Sequence, residues 1–197
     1  MNRYLMQRII QYVPALIEFD NLFGFSKESM TTHQHQKEKR VIISSKQSIT
    51  PIHVILADDD EDDRDLFTEA MREINIKVQL ETLKDGNSLL DRLLAAGKKL
   101  PDLLFLDLNM PDKNGRECLD IIRNTERLKD INVIIYSTSS SSKDINDTYE
   151  KGANLYIAKP ASFTDILAMA KKVLTLGWEG YKPFGNKQNF VFSCKTN

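Results

Sequence analysis

From residue 51 to residue 176, short apolar runs alternate with stretches whose apolar residues return every three or four positions. A short run rich in β-branched and aromatic residues favours a strand, and the three- or four-residue spacing favours a helix with one buried face. Strands are therefore predicted at 52–56, 77–82, 102–107, 133–136 and 155–158. The second alternates, with Val78 and Leu80 on one side. The third, through Leu103, Leu104, Phe105 and Leu106, is continuous, as suits a central parallel strand buried on both faces. Between the strands lie helical patterns. Leu66, Phe67, Ala70, Met71 and Ile74 mark the first, and a leucine-rich stretch at 87–96 closed by Gly97 marks the second. The others fall at 116–123, 142–151 and 163–174. Five strands alternating with five helices predict an α/β domain, a five-stranded parallel sheet flanked by helices on both faces.

The flanks lack this rhythm. The chain is read as an N-terminal extension (1–50, poorly ordered), a domain (51–176) and a C-terminal tail (177–197). In the extension, the spacing of Leu5, Ile9, Val13 and Leu16 would put them on one side of a short helix, which Pro14 would interrupt. The plainer reading is a disordered leader, with Met30 as an alternative start. No small-residue cleavage site follows a continuous apolar stretch, so a signal peptide is not expected. His33 and His35 are too few for a metal site. The tail sets Trp178, Tyr181, Phe184, Phe190 and Phe192 among Lys182, Lys187 and Lys195. Such a tail packs its aromatics back on the domain, serves as a docking strand, or stacks on nucleotides.

Composition narrows the classes. The 197 residues are 41% hydrophobic, enough for one real core. Lys and Arg number 27 against 28 Asp and Glu, which gives no electrostatic reason to expect nucleic acid. Cys118 and Cys194 are isolated, so a reducing cytoplasm is expected. No apolar run approaches the roughly 20 residues that span a bilayer, and no membrane partner is expected.

In open parallel sheets ligands bind beyond the carboxyl ends of the strands. There the sequence places Asp58, Asp59 and Asp60 after the first strand and Asp107 after the third. Ser137 and Thr138 follow the fourth, and Lys159 and Pro160 the fifth. Crowded carboxylates repel by roughly 4 kcal/mol per pair at about 4 Å and an effective dielectric near 20. Either a proton is held or a cation is bound, and oxygen ligands with open positions suit Mg²⁺. A phosphoryl group entering there would find a metal and a lysine to offset its charge, a hydroxyl to donate, and Asp107 as a nucleophile that forms an acyl phosphate. The plain alternatives are that Asp60 to Asp63 cap a helix, that Ser137 opens a solvated turn, and that Lys159 is a surface lysine.

The order and spacing of these pieces resemble bacterial response-regulator receivers of the chemotaxis-regulator type. The matching segments are VILADDD at 54–60, LDLNMPDKNG at 106–115, IIYST at 134–138 and GANLYIAKP at 152–160. The resemblance covers roughly residues 52–176 and implies a flavodoxin-like receiver fold. It implies Asp107 as the phosphorylated residue, with Ser137 and Lys159 binding phosphate oxygens. Mg²⁺ would be held by Asp58, Asp59, Asp107 and the carbonyl of Asn109. It implies a cis peptide before Pro160, and Ser137 and Tyr156 as the moving switch. Asn109 and Ser139, flanking the phosphate, would set its lifetime. The implied partners are a histidine kinase or phosphotransfer protein and a downstream protein target, with no DNA-binding output domain in the short tail. In this family the face made by the last two helices and fifth strand often forms homodimers.

Two rivals differ in class. A degenerate receiver would bind partners without phosphorylation, but the key positions are intact. A metal-dependent phosphatase with an aspartyl nucleophile would carry DxDx[TV] after its first strand. Here Asn109 stands two after Asp107, which ends the third strand.

Overall fold

The fold was obtained as a computed structural model, and the structure describes residues 50–178 and 189–192. The expectations for the leader, the His33 and His35 pair, Cys194, and the tail residues Tyr181, Lys182, Phe184, Lys187 and Lys195 lie outside the described residues. In chain order the elements are β1 (Ile52–Ala57), α1 (Glu61–Glu73), β2 (Val78–Leu83), α2 (Gly86–Leu94), β3 (Leu103–Leu106), α3 (Gly115–Asn124), β4 (Asn132–Ser137), α4 (Ser142–Glu150), β5 (Leu155–Ala158), α5 (Phe163–Leu174) and β6 (Val191–Phe192). All strands are parallel, in the order β2-β1-β3-β4-β5-β6.

The strand alternation sorts the core onto two faces. Val54, Leu56, Phe105, Ile134 and Ile157 pack against Phe67, Ala70 and Met71 of α1 and against Ile166, Met169, Ala170 and Val173 of α5. Ile55, Leu104, Leu106, Ile135 and Tyr156 face Leu89 and Leu93 of α2 and Leu119 and Ile122 of α3. Phe67, Phe105 and Tyr136 meet edge to face, with centroids 4.9 to 6.0 Å apart. Each helix starts on a side-chain cap: Asp60, Asp85, Asn114, Ser141 and Ser162 accept from backbone N–H groups of the first turns. Asn114 and Glu117 complete a reciprocal box at α3.

The five-stranded receiver sheet is present as expected and gains one strand, and two expectations are corrected. The sheet has six strands, because the tail returns and pairs Val191 with Tyr156 and Phe192 with Ile157. β5 is thus interior, and β2, with Gln79 and Thr82 exposed, is the other edge. Leu66 is 41% exposed, since Phe67 takes the inward position on α1. No peptide bond among the described residues is cis, so the bond before Pro160 is trans; trans is the lower-energy isomer even for proline, by about 0.5–1 kcal/mol.

Two close approaches fix the loop after β3. A Cβ on Gly115 would fall 2.0 Å from the Asp107 carbonyl oxygen, and one on Gly86 would fall 2.2 Å from that of Lys113. Within the loop Asp112 holds φ at +60°, a left-handed conformation that Asp tolerates better than most residues. Gly115→Ala is expected to cost about 1–3 kcal/mol by forcing the backbone apart, read by urea denaturation. Wild-type stability in that variant would show that the loop has room.

Candidate functional site

Four residues of the site stand at the carboxyl end of a strand or directly after it. Asp58 follows β1, Asp107 follows β3, Ser137 ends β4 and Lys159 follows β5. These four strands are neighbours in the sheet, so residues distant in sequence share one rim. Backbone pairing continues past the strands: Asp107 N–H donates to Ala57 at 2.9 Å and Lys159 N–H to Ser137 at 2.8 Å.

Lys159 is the centre. Its Nζ lies 2.8 Å from Asp58 Oδ2, 2.7 Å from Asp63 Oδ2 and 3.5 Å from Asp107 Oδ2. It also sits 5.7 Å above the Tyr136 ring centroid. Burial works against the ammonium, but Asp58 and Asp63, helped by the charge of Asp107, outweigh it and hold the Lys159 pKa above the usual lysine value.

Asp58 is fully buried and Asp107 nearly so, whereas Asp59 is exposed. Asp58 Oδ1 accepts from Asp60 N–H at 3.2 Å. Its Oδ2 meets Lys159 by charge, outside the direction of a good hydrogen bond. Asp107 Oδ1 is buried and has no hydrogen-bond partner among the described residues. Burial pushes the Asp58 carboxyl up to about 6, although Lys159 pulls the other way; the charge of Asp107 adds to the rise.

Carboxylate oxygens of Asp58, Asp59 and Asp107 lie within 4.8 Å of one another. Hard oxygen donors, two of them buried and carrying uncompensated lone pairs, fit a divalent cation. Asn109 is exposed in the loop directly after Asp107.

Ser137 is buried, and its Oγ accepts from Ser139 N–H at 3.3 Å. The Ser139 carbonyl accepts from Tyr156 Oη at 2.8 Å, and Ser139 Oγ donates to Asp144 on α4, which pairs with Arg116 on α3. Tyr156 is completely buried. Asp60 does cap α1, accepting from Asp62 and Asp63 N–H groups, as the plain reading had it.

Sequence reasoning missed Asp63, Asp144 and Arg116. Asp63 left a usable signal: it lies one helical turn after the Asp59–Asp60 turn, so it faces back over the sheet edge. Arg116 and Asp144 come together only through the packing of α3 and α4, which leaves no mark in the sequence.

The family model for the response regulator receiver domain matches residues 54–171. The chain belongs to the response regulator receiver family. Among relatives of this receiver, a probable methanogenesis regulatory protein, FilR2, of Methanothrix harundinacea is 32% identical over 133 residues, covering 65% of this chain and 86% of the relative. The response regulator Rcp1 of Synechocystis is also 32% identical, over 66% of this chain and 90% of the relative. The Mn²⁺-bound structure of Rcp1 aligns with a TM-score of 0.59 at 31% identity, covering 66% of this chain and 96% of that one. The phosphorylated cyanobacterial phytochrome response regulator RcpA aligns with the same TM-score at 32% identity, covering 63% and 91%. No helix among the described residues of the receiver is long and apolar enough to cross a membrane.

The raised Asp58 pKa has a sign that stability can read. The folded value, about 6, lies above the ordinary 3.8, so the folded state takes up its proton first as pH falls. The ionised carboxyl therefore costs the metal-free receiver stability at pH 7, and the cost fades as pH drops through 6 toward 4. Asp58→Asn is expected to stabilise the metal-free receiver at pH 7 by about 1–3 kcal/mol, with a smaller gain at pH 5. Urea denaturation in chelator at both pH values reads it. An equal or negative gain at pH 7 would show that Asp58 is fully compensated by Lys159.

Proposed function

We propose that this receiver is a phosphorylation-operated switch that accepts a phosphoryl group on Asp107, in a Mg²⁺-dependent reaction, from a histidine kinase or phosphotransfer protein. The observation that carries this reading is the buried Asp107 carboxylate, with Oδ2 facing Lys159 and Oδ1 lacking a partner. That oxygen is a nucleophile with a free lone pair. It attacks phosphorus, an O–P bond forms, and the bond from phosphorus to the donor histidine nitrogen breaks, its electron pair leaving on the imidazole. Mg²⁺ held by Asp58, Asp59, Asp107 and the Asn109 carbonyl would offset charge on the transferring oxygens.

Lys159 balances a further oxygen. To do so it shares its charge between the phosphate and Asp58, whose Oδ2 lies 2.8 Å from its Nζ. Ser137 donates its hydroxyl to a phosphate oxygen. Its Oγ now accepts from Ser139 N–H, so its own proton is available for that bond. The phosphoryl group adds about −1.5 to −2 charges at one point, enough to bias two backbone states that differ by a few kcal/mol. Tyr156, tied to Ser139, carries the change to α4 and β5, and so to a downstream protein target. The relatives with bound Mn²⁺ and with a phosphorylated site support the reading by analogy.

Incubation with acetyl phosphate and Mg²⁺ is expected to add one phosphoryl mass to the full chain. Asp107→Asn abolishes the gain, and Lys159→Ala slows it by about 100-fold, the typical loss when one charge-stabilising donor is removed. No mass gain, together with no response to beryllofluoride, would sink the phosphoacceptor reading.

A further inference from the structure

Among the described residues, the tail returns to the sheet at 191–192. Phe190, 2% exposed, is buried against the domain. Its ring lies 5.1 Å from the Tyr149 ring on α4 and 6.2 Å from that of Tyr156 on β5. Its carbonyl accepts the Tyr156 N–H at 2.8 Å. Tyr156 is thus braced at three points: its amide and its ring by Phe190, and its hydroxyl by Ser139.

The brace continues to the strand ends. Ser139 holds the Tyr156 hydroxyl through its carbonyl and the Ser137 hydroxyl through its N–H. Ser137 stands on the rim with Asp107. A continuous set of contacts therefore runs from the tail through Tyr156 and Ser139 to the site. Without Phe190, Tyr156 would face a cavity at the outer side of β5 and an unpaired amide. Cavities are removed by the side chains that can move into them. Tyr156 leaving inward contact would release Ser139, and with it Ser137.

We infer that the outer edge of β5 is a docking surface for the chain's own segment 189–192, and that docking of this segment and occupancy of the Asp107 site strengthen each other. The coupling rests on Asp107 acting as a phosphoacceptor. Linkage makes it reciprocal: a tail that favours the filled site is itself held more firmly when the site is filled.

Two measurements on the full chain test it, with Mg²⁺ and beryllofluoride as the phosphoryl mimic. In the unmodified chain, filling the site is expected to slow hydrogen exchange of the Tyr156 amide by about 5-fold or more. In Phe190→Ala, the affinity for beryllofluoride in Mg²⁺, followed by calorimetry, is expected to fall by at least about the same factor. Phe190→Leu, which refills much of the space, recovers most of it. An unchanged Tyr156 exchange rate in the unmodified chain overturns the coupling even if Phe190→Ala fails to fold. Equal affinities in wild type and Phe190→Ala overturn it too. Both results leave the phosphoacceptor reading intact when the wild type gains its phosphoryl mass from acetyl phosphate. A wild type that gains no mass and binds no beryllofluoride overturns the phosphoacceptor reading and the coupling with it.

Discussion

One buried ammonium surrounded by carboxylates organises the working end of this protein. Lys159 touches Asp58 and Asp63 and comes within 3.5 Å of Asp107, and these residues arrive from β5, β1, α1 and β3. Such a cluster exists only if the strands lie side by side with their ends level. The parallel registers supply that: Ala57 beside Leu106, Leu106 beside Ile135, and Ser137 beside Ala158. The apolar sheet behind the cluster keeps water out. That exclusion makes the charges matter to one another, because the same groups in water would interact weakly.

The cluster is not balanced within the protein. Lys159 alone faces more carboxylate than it can neutralise. Burial raises the Asp58 pKa in spite of Lys159, with the charge of Asp107 adding to the rise, and one Asp107 oxygen is left without a partner among the described residues. A site optimised for stability would fill those valences within the protein. Here they stay open, at a cost to the folding free energy, which is the condition the proposed binding of a cation and a phosphoryl group requires. Gly115 and Gly86 shape the loop beside the cluster. Their missing side chains let the loop after β3 pack closely, Gly115 against the Asp107 carbonyl and Gly86 against that of Lys113.

Most of the fold and of the site was legible in the sequence, for a reason that particular residues show. β3 reads as a strand because Leu103 to Leu106 are apolar without interruption, and a sheet covered on both faces demands that. The site reads because the sheet topology brings strand ends together, so Asp58, Asp107, Ser137 and Lys159 could be placed from their positions alone. β6 could not be seen. It is two residues long, and its pairing depends on Phe190 finding a pocket between Tyr149 and Tyr156 that no local pattern encodes. Leu66 misled because both it and Phe67 fit a helical spacing, and only packing against Phe105 and Tyr136 decides which turns inward. Asp63 was read as a first-turn acid. It stands in the first turn, and it is also a partner of Lys159, since one carboxylate at a helix start can serve both roles.

The sheet ends differently on its two sides, with a consequence for the molecule in crowded solution. Strands with unpaired backbone invite other chains to add themselves on. On one side β2 meets the solvent with Gln79 and Thr82, polar groups that make poor seeds for further pairing. On the other, Leu155, Tyr156 and Ile157 would offer an apolar template. The returning tail covers it with a strand too short to propagate the pattern. The same few residues that brace Tyr156 thus act as a chain terminator for the sheet. They keep an aggregation-prone edge out of reach of neighbouring copies.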